Sequence, residues 1–439
     1  MSIEAPHSPA TATSPKTRRI AVIGAGITGM GAAHRLAPHN HVTLFESASR
    51  LGGHARTRMA GKNGDQPVDT GFIVFNYANY PHLAALFSEL DVPVMKSNMS
   101  FGASFDGGRL EYALTSVGAI FTQKRNAVNP KFLGMLRDIV KFNKHAKRLA
   151  QDKSLSLGAF LAKLGTGDYF RDHYLLPFSG AIWSTPTEKI MEFPAHALIQ
   201  FFENHALLGY SGQHQWYTVQ GGSIQYVKRL EAAMQRAGVD IRLGAAIEGV
   251  RRDAHGVEVK TRGAEWERFD EVVMATHSDD SLAMLTDPSA QEQAALGAIL
   301  YQPNDVVLHA DERVMPKRKS AWASWVYTED AKVKSDRIDL TYWMNSLQNI
   351  PEGDPHFVTL NTKRTIREEL IYDRVTLRHP VYDLAAWDAQ GKVHAMNGAQ
   401  NTWFCGAWLR NGFHEDGLAT ANEVADVINA RAKTALAAE

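Results

Sequence analysis

Three glycines carry the clearest chemical signal in this chain. Gly24, Gly26 and Gly29 fall in a G-x-G-x-x-G spacing between an apolar run, Ile20-Ala21-Val22-Ile23, and an alanine-lined stretch from Met30 to Leu36. Alone, that spacing describes a glycine-rich turn as readily as a ligand site. Its context is a buried strand, the turn and then a helix, followed by a second strand, His41 to Phe45, closed by Glu46. Glu46 lies 22 positions after Gly24, near the interval of about 20 residues that sets a carboxylate on ribose hydroxyls. In such a unit Gly24 allows the tight turn and Gly26 admits a pyrophosphate to the helix N-terminus, while Gly29 lets helix and strand pack closely. Ile27 and Thr28 inside the turn, and Ser47 beside the carboxylate, belong to the same expected dinucleotide surface.

The residues that follow point to an extended dinucleotide, FAD rather than NAD. In Arg50-Leu51-Gly52-Gly53-His54-Ala55-Arg56-Thr57, two glycines just past the ribose carboxylate let the backbone run along the ligand. Gly71 and Phe72, in Val68-Asp69-Thr70-Gly71-Phe72, continue that path toward the isoalloxazine. At the other end of the chain, Trp403-Phe404-Cys405-Gly406-Ala407-Trp408 reads as a strand ending at Gly406, and Glu415-Asp416-Gly417-Leu418 opens the last helix. A helix N-terminus suits the negative edge of a reduced flavin.

These stretches resemble the flavin amine oxidase, protoporphyrinogen oxidase and phytoene desaturase superfamily, in which a Glu, a spacer and a Gly-Gly-Arg-Thr-like turn are characteristic. The resemblance extends over nearly the whole chain after its first residues. Gly221-Gly222-Ser223 is similar to a second cofactor-side turn, and Ala246 to Val250 to a strand whose backbone, at Val250, meets the adenine. Pro177 to Trp183 is similar to a segment of the porphyrinogen-oxidase and desaturase branch. The resemblance implies that Gly417 and Leu418 touch the flavin through their backbone, and that FAD is held non-covalently. His54 stands where the family has Arg; it reads as a polar substitution, with a hydrogen bond to phosphate or flavin, or a covalent tether, as alternatives. Asn304-Asp305 replaces the lysine that amine oxidases place before the strand Val306-Val307-Leu308, and His414 replaces a tyrosine. His414 is accordingly the candidate acid–base group facing substrate, a loop-capping histidine being the competing reading.

The expected architecture is α/β: a Rossmann-type FAD-binding domain (19–75, 220–290 and 395–439) with an interleaved mixed α+β substrate domain (76–219 and 291–394), in which Asp305 to His309 and Trp322 to Tyr327 read as strands, behind a disordered tail, 1–18. Tyr77, Phe101, Phe105, Phe178, Trp183, Phe201, Phe202 and Trp216 suggest an apolar substrate chamber in the second domain. Lys+Arg and Asp+Glu balance at 47 each, so no global field recruits nucleic acid. Cys405 is the single cysteine; a small buried residue in a reducing, cytoplasmic setting fits it, and peripheral contact with the inner membrane is left open. No metal-ligand spacing occurs, and no second nucleotide site, since Gly165-Thr166-Gly167 follows a helical stretch.

The expectation is an FAD-dependent oxidoreductase that dehydrogenates a hydrophobic substrate by hydride transfer, reoxidised by O2, a quinone or a carrier. A methylated or cyclopropanated fatty acyl lipid is the first substrate expectation, from the resemblance alone. A peroxide-producing amine oxidase and a non-catalytic FAD-binding partner module are the alternatives.

Overall fold

Ile20, Ala21 and Val22 have no exposed surface, the pattern of a strand covered on both faces at the centre of a parallel sheet. The computed structural model describes residues 18–152, 154–183, 190–209, 214–330 and 337–438. The tail expected over 1–18 lies outside the described residues except for Arg18, as does the side chain of Trp183.

Arg19–Ile23 pairs in parallel with His41–Phe45 on one side and Glu271–Met274 on the other. Asp240–Arg242 and Thr402–Phe404 complete a five-stranded parallel sheet. Its strands thus come from the beginning, middle and end of the chain. Helices Ile27–Leu36, Ile224–Arg236 and His414–Ala438 cover it. Gly31 lets the first and last of these meet: a Cβ there would stand 2.5 Å from Leu418 Cδ1. Each Ile, Val or Leu fully buried in this layer contributes about 1.5–3 kcal/mol.

A seven-stranded, mostly antiparallel sheet forms the second core. Its longest ladder pairs Leu300–His309 with Ile371–Val381. Against it packs a helical layer, Pro130–Leu149, Leu157–Leu164, Leu176–Trp183 and Ala195–Asn204, filled by Phe142, Phe160, Phe170 and Phe202. Two expectations shift here. The strand read at Asp305 to His309 begins at Leu300, because the facing strand is long enough to pair with all of it. The strand read at Trp322 to Tyr327 runs Trp325–Glu329 instead. Trp322 is held in the preceding turn, where its Nε1 donates to Pro316 O at 2.8 Å and its ring packs edge-on to Trp343.

Candidate active site

The glycine turns interlock through backbone. Gly24 has φ +97°, and its N–H donates to Phe45 O at 2.8 Å. A Cβ on Gly29 would sit 1.8 Å from Gly24 O, so no other residue fits there. Gly52 N donates to Ala25 O at 2.8 Å, joining the second turn to the first. Arg50 braces that turn from behind, donating to Gly53 O, Leu51 O and Ala55 O. Gly26 differs from its neighbours: a Cβ there would meet nothing within 4 Å. The helix it opens has neither a side-chain cap nor an acidic residue in its first turn. An open cradle at an uncapped helix N-terminus is what a pyrophosphate requires. Glu46 sits at its mouth, accepting Ala25 N and Ala48 N, each at 2.8 Å, with Ser47 Oγ at 3.3 Å. Ile27 and Thr28 are buried behind the turn.

Asp69, one residue before Thr70-Gly71-Phe72, ties this cradle to distant chain. Its buried carboxylate accepts Thr57 Oγ1 (2.6 Å), Ser223 Oγ (2.7 Å), Ser223 N (2.9 Å) and Gln348 Nε2 (2.9 Å). Gln348 Oε1 in turn accepts Asp69 N at 2.9 Å. Burial pushes this carboxyl up from the ordinary range, against the pull of those donors. Sequence reading placed the Gly221-Gly222-Ser223 turn on the cofactor side but did not find Asp69 as its anchor, nor Gln348. Gly71 is then fixed by contact: a Cβ would lie 2.0 Å from His54 O, which accepts Phe72 N at 3.0 Å.

Beyond Phe72 opens a cavity of about 500 Å3. His54, Phe72, His379 and His414 line one end; Phe101, Phe178, Phe201, Trp216, Trp325 and Phe413 line the rest. Of the aromatics expected in the chamber, Phe101, Phe178, Phe201 and Trp216 reach it. Phe105 and Phe202 lie in the core and Tyr77 is exposed. His414 stacks on Phe72, 4.0 Å between centroids, and its Nε2 is 2.8 Å from Tyr226 Oη. His379 Nδ1 accepts Asn304 Nδ2 at 2.7 Å, which leaves its proton on Nε2; Asn304 Oδ1 accepts Asn361 Nδ2 at 2.7 Å. His54 lies between His379 and His277, with centroids 5.5 and 5.9 Å away. Burial pulls the pKa of His54 down to about 4, and those of His277, His379 and His414 to about 3. All four imidazoles are neutral at pH 7. Of these, only His54 and His414 were found from sequence. His277 and His379 arrive from separate strand ends and have no local signal.

The last helix starts at His414. Gly417 and Leu418 fall in its first turns. Gly417 N is taken by Phe413 O at 3.1 Å, and Leu418 is buried against Gly31. The first-turn amides that have no carbonyl four residues behind them in the helix belong to His414, Glu415 and Asp416. Gly417 also packs closely, since a Cβ there would strike Thr28 Oγ1 at 2.5 Å. Gly406 closes its strand against this helix, its N–H donating to Thr420 Oγ1 at 3.0 Å. Val250 is fully buried, and its carbonyl accepts Thr286 N and Oγ1. Ile247 lies at the bulge in the same strand, two residues after Ala245, whose N–H donates to the Glu46 backbone carbonyl at 2.8 Å.

The comparisons agree with this geometry. The chain matches the family described as flavin containing amine oxidoreductase over residues 27–369. It resembles the CLA-producing fatty acid isomerase from P. acnes (15% identity, TM-score 0.67, covering 95% of this chain and 99% of that one). It also resembles cyclohexylamine oxidase from Brevibacterium oxydans IH-35A (14%, 0.66, 95% and 99%) and putrescine oxidase bound to putrescine (15%, 0.65, 94% and 99%). No curated protein matches the sequence. A parallel sheet bearing a dinucleotide cradle beside an apolar cavity defines a flavin-dependent oxidoreductase. The chain belongs to the flavin containing amine oxidoreductase family, and its cofactor is FAD.

Proposed function

We propose that this oxidoreductase dehydrogenates an uncharged, apolar substrate, a fatty acyl lipid, rather than an amine. The observation that carries this is the cavity lining. Among the described residues that line it there is no Asp, Glu, Lys or Arg, and an ammonium substrate entering such a space loses hydration with no carboxylate to replace it. Asn304 at the position where amine oxidases of the family hold lysine, and His414 in place of tyrosine, support the same reading. So does the resemblance to a fatty acid isomerase.

FAD, when bound, supplies the two-electron acceptor. The chain's own groups do the rest. Gly26, Glu46 and the Gly52-Gly53 turn would hold the dinucleotide, Ile247 would meet its adenine, and Gly71, Phe72 and the first turn after Phe413 would border the ring. The aromatic walls hold an acyl chain in place and exclude water. His379, bonded at Nδ1 by Asn304, presents a neutral imidazole suited to hold or pass a proton at Nε2, and His414, stacked on Phe72 and held at Nε2 by Tyr226 Oη, presents a neutral imidazole whose Nδ1 is the nitrogen left for that role. O2, a quinone or an electron carrier reoxidises the cofactor.

Anaerobic mixing of the holoenzyme with acyl lipid fractions, branched and cyclopropane chains included, should bleach the absorbance near 450 nm on the order of the flavin's two-electron reduction. Mass spectrometry should find a product two hydrogens lighter. A panel of mono-, di- and aromatic amines should leave the spectrum unchanged. Rapid bleaching by any amine, with none by the lipids, would overturn the reading.

A further inference from the structure

We propose that the outer face of the helix Pro130–Leu149, with the turn Lys124–Val128 that leads into it, docks on an anionic lipid bilayer. The chain as a whole is balanced in charge, but this stretch is not. From Lys124 to Arg148 it carries eight basic residues and one acidic one, Asp138. Asp138 is buried and spent internally, accepting Gly167 N at 2.8 Å, so it does not offset the surface charge.

The helix has two faces. Phe132, Met135, Ile139, Phe142 and Ala146 are buried. Leu133, Arg137, Val140, Lys144 and Lys147, spaced four, three, four and three apart, form the opposite stripe. Two of its members are large and apolar yet exposed, Leu133 at 41% and Val140 at 52%, and Val128 just ahead of the helix is 81% exposed. Among the described residues, Lys124, Lys131, Lys144 and Arg148 form no ion pair. Free cations alone would suit any polyanion. Cations alternating with exposed Leu and Val suit a headgroup layer with acyl chains beneath it.

The placement fits the acyl reading above, on which this part of the inference rests. Lys147, in the last turn, borders a hollow of about 590 Å3 whose inner wall includes Phe201 and Asn411. Both residues also line the apolar chamber. A bilayer seated on the helix therefore lies beside a hollow that shares Phe201 and Asn411 with the chamber. Among the described residues no helix is long and apolar enough to cross a membrane, so the contact is peripheral.

The test is sedimentation of the FAD-loaded protein with vesicles of phosphatidylcholine alone, or of equal parts phosphatidylcholine and phosphatidylglycerol. Binding is expected only to the second, and raised salt should release it. K131E/R137E/K144E should weaken binding by more than about 100-fold, and L133S/V140S by about tenfold. Because all five side chains are exposed, flavin absorbance and melting temperature should be unchanged. Equal binding to both vesicles, unaltered binding by the triple variant, or binding of duplex DNA as tight as that of the anionic vesicles would overturn the proposal. Vesicle binding that persists while acyl lipids fail to bleach the flavin would remove the substrate reading and leave the docking face standing.

Discussion

Around Gly29 the molecule is set by backbone against backbone, with 1.8 Å available where a Cβ would go. Around Phe178 it is set by side chain against side chain, with rings of Phe101 and Phe202 packed edge-on at 5.0 and 5.5 Å. The first arrangement has no slack, because a carbonyl cannot move without unmaking a strand. The second has slack, because a neighbouring ring can rotate or a shorter chain can leave a small void. The cofactor side is thus fixed by residue type and the substrate side by volume. A family built this way can exchange substrates while keeping its cofactor.

The contrast is breakable by substitution. Gly29→Ala should prevent both folding and flavin uptake, whereas Gly26→Val, whose side chain enters open space, should leave the melting temperature of the cofactor-free protein unchanged while abolishing flavin retention. Absorbance at 450 nm relative to 280 nm, beside a thermal melt of apoprotein, separates the two. Equal damage from both would erase the distinction between packing and ligand glycines. Next in size, Asp69→Ala strands the buried donors of Thr57, Ser223 and Gln348 and should cost about 3 kcal/mol or more; urea unfolding measures it.

A pH effect of similar ceiling is expected at Asp416. Burial raises its carboxyl to about 6, from an ordinary 3.8, while the side chain accepts Phe413 N at 2.9 Å. The folded state therefore holds the proton more tightly than the unfolded one. Stability is lost as pH rises from about 4 to about 6, by up to about 3 kcal/mol. Asp416→Asn should remove this dependence, gaining on the parent at neutral pH and not in acid. The four buried histidines have the opposite sign, losing stability as pH falls below their ordinary 6.5, but they are common to both proteins and cancel in the difference. The smallest effect belongs to the chamber: Phe178→Leu should cost about 1 kcal/mol, leave flavin content intact and change the rate at which acyl lipids bleach it. Loss of flavin from this variant would show the two regions to be coupled.

What could be read in the sequence follows from the same division. The Gly24–Glu46 unit is local, and its strand, turn and helix are dictated by neighbours within a few residues. The Asp69–Ser223–Gln348 anchor joins positions more than a hundred residues apart, and nothing near Gln348 marks it. His379 looks like any residue of an antiparallel strand until Asn304 is set opposite its edge. The strand is visible in the alternation of Ile247 to Asp253, but the bulge between Ile247 and Gly249, which resets the faces of the strand ahead of Val250, is not. The loop before Trp325 was misread because Trp322 has strong strand propensity and is held in a turn by its indole.

Cys405 ends the strand beside Glu271–Met274, its N–H on Met274 O at 3.1 Å, with no exposed surface. As the chain's single thiol, it can be alkylated only when the edge of the parallel sheet opens. The labelling rate in native buffer is therefore a clock for that opening, read without an engineered probe, and comparing it with and without flavin measures how firmly the cofactor latches the end of the chain to its beginning.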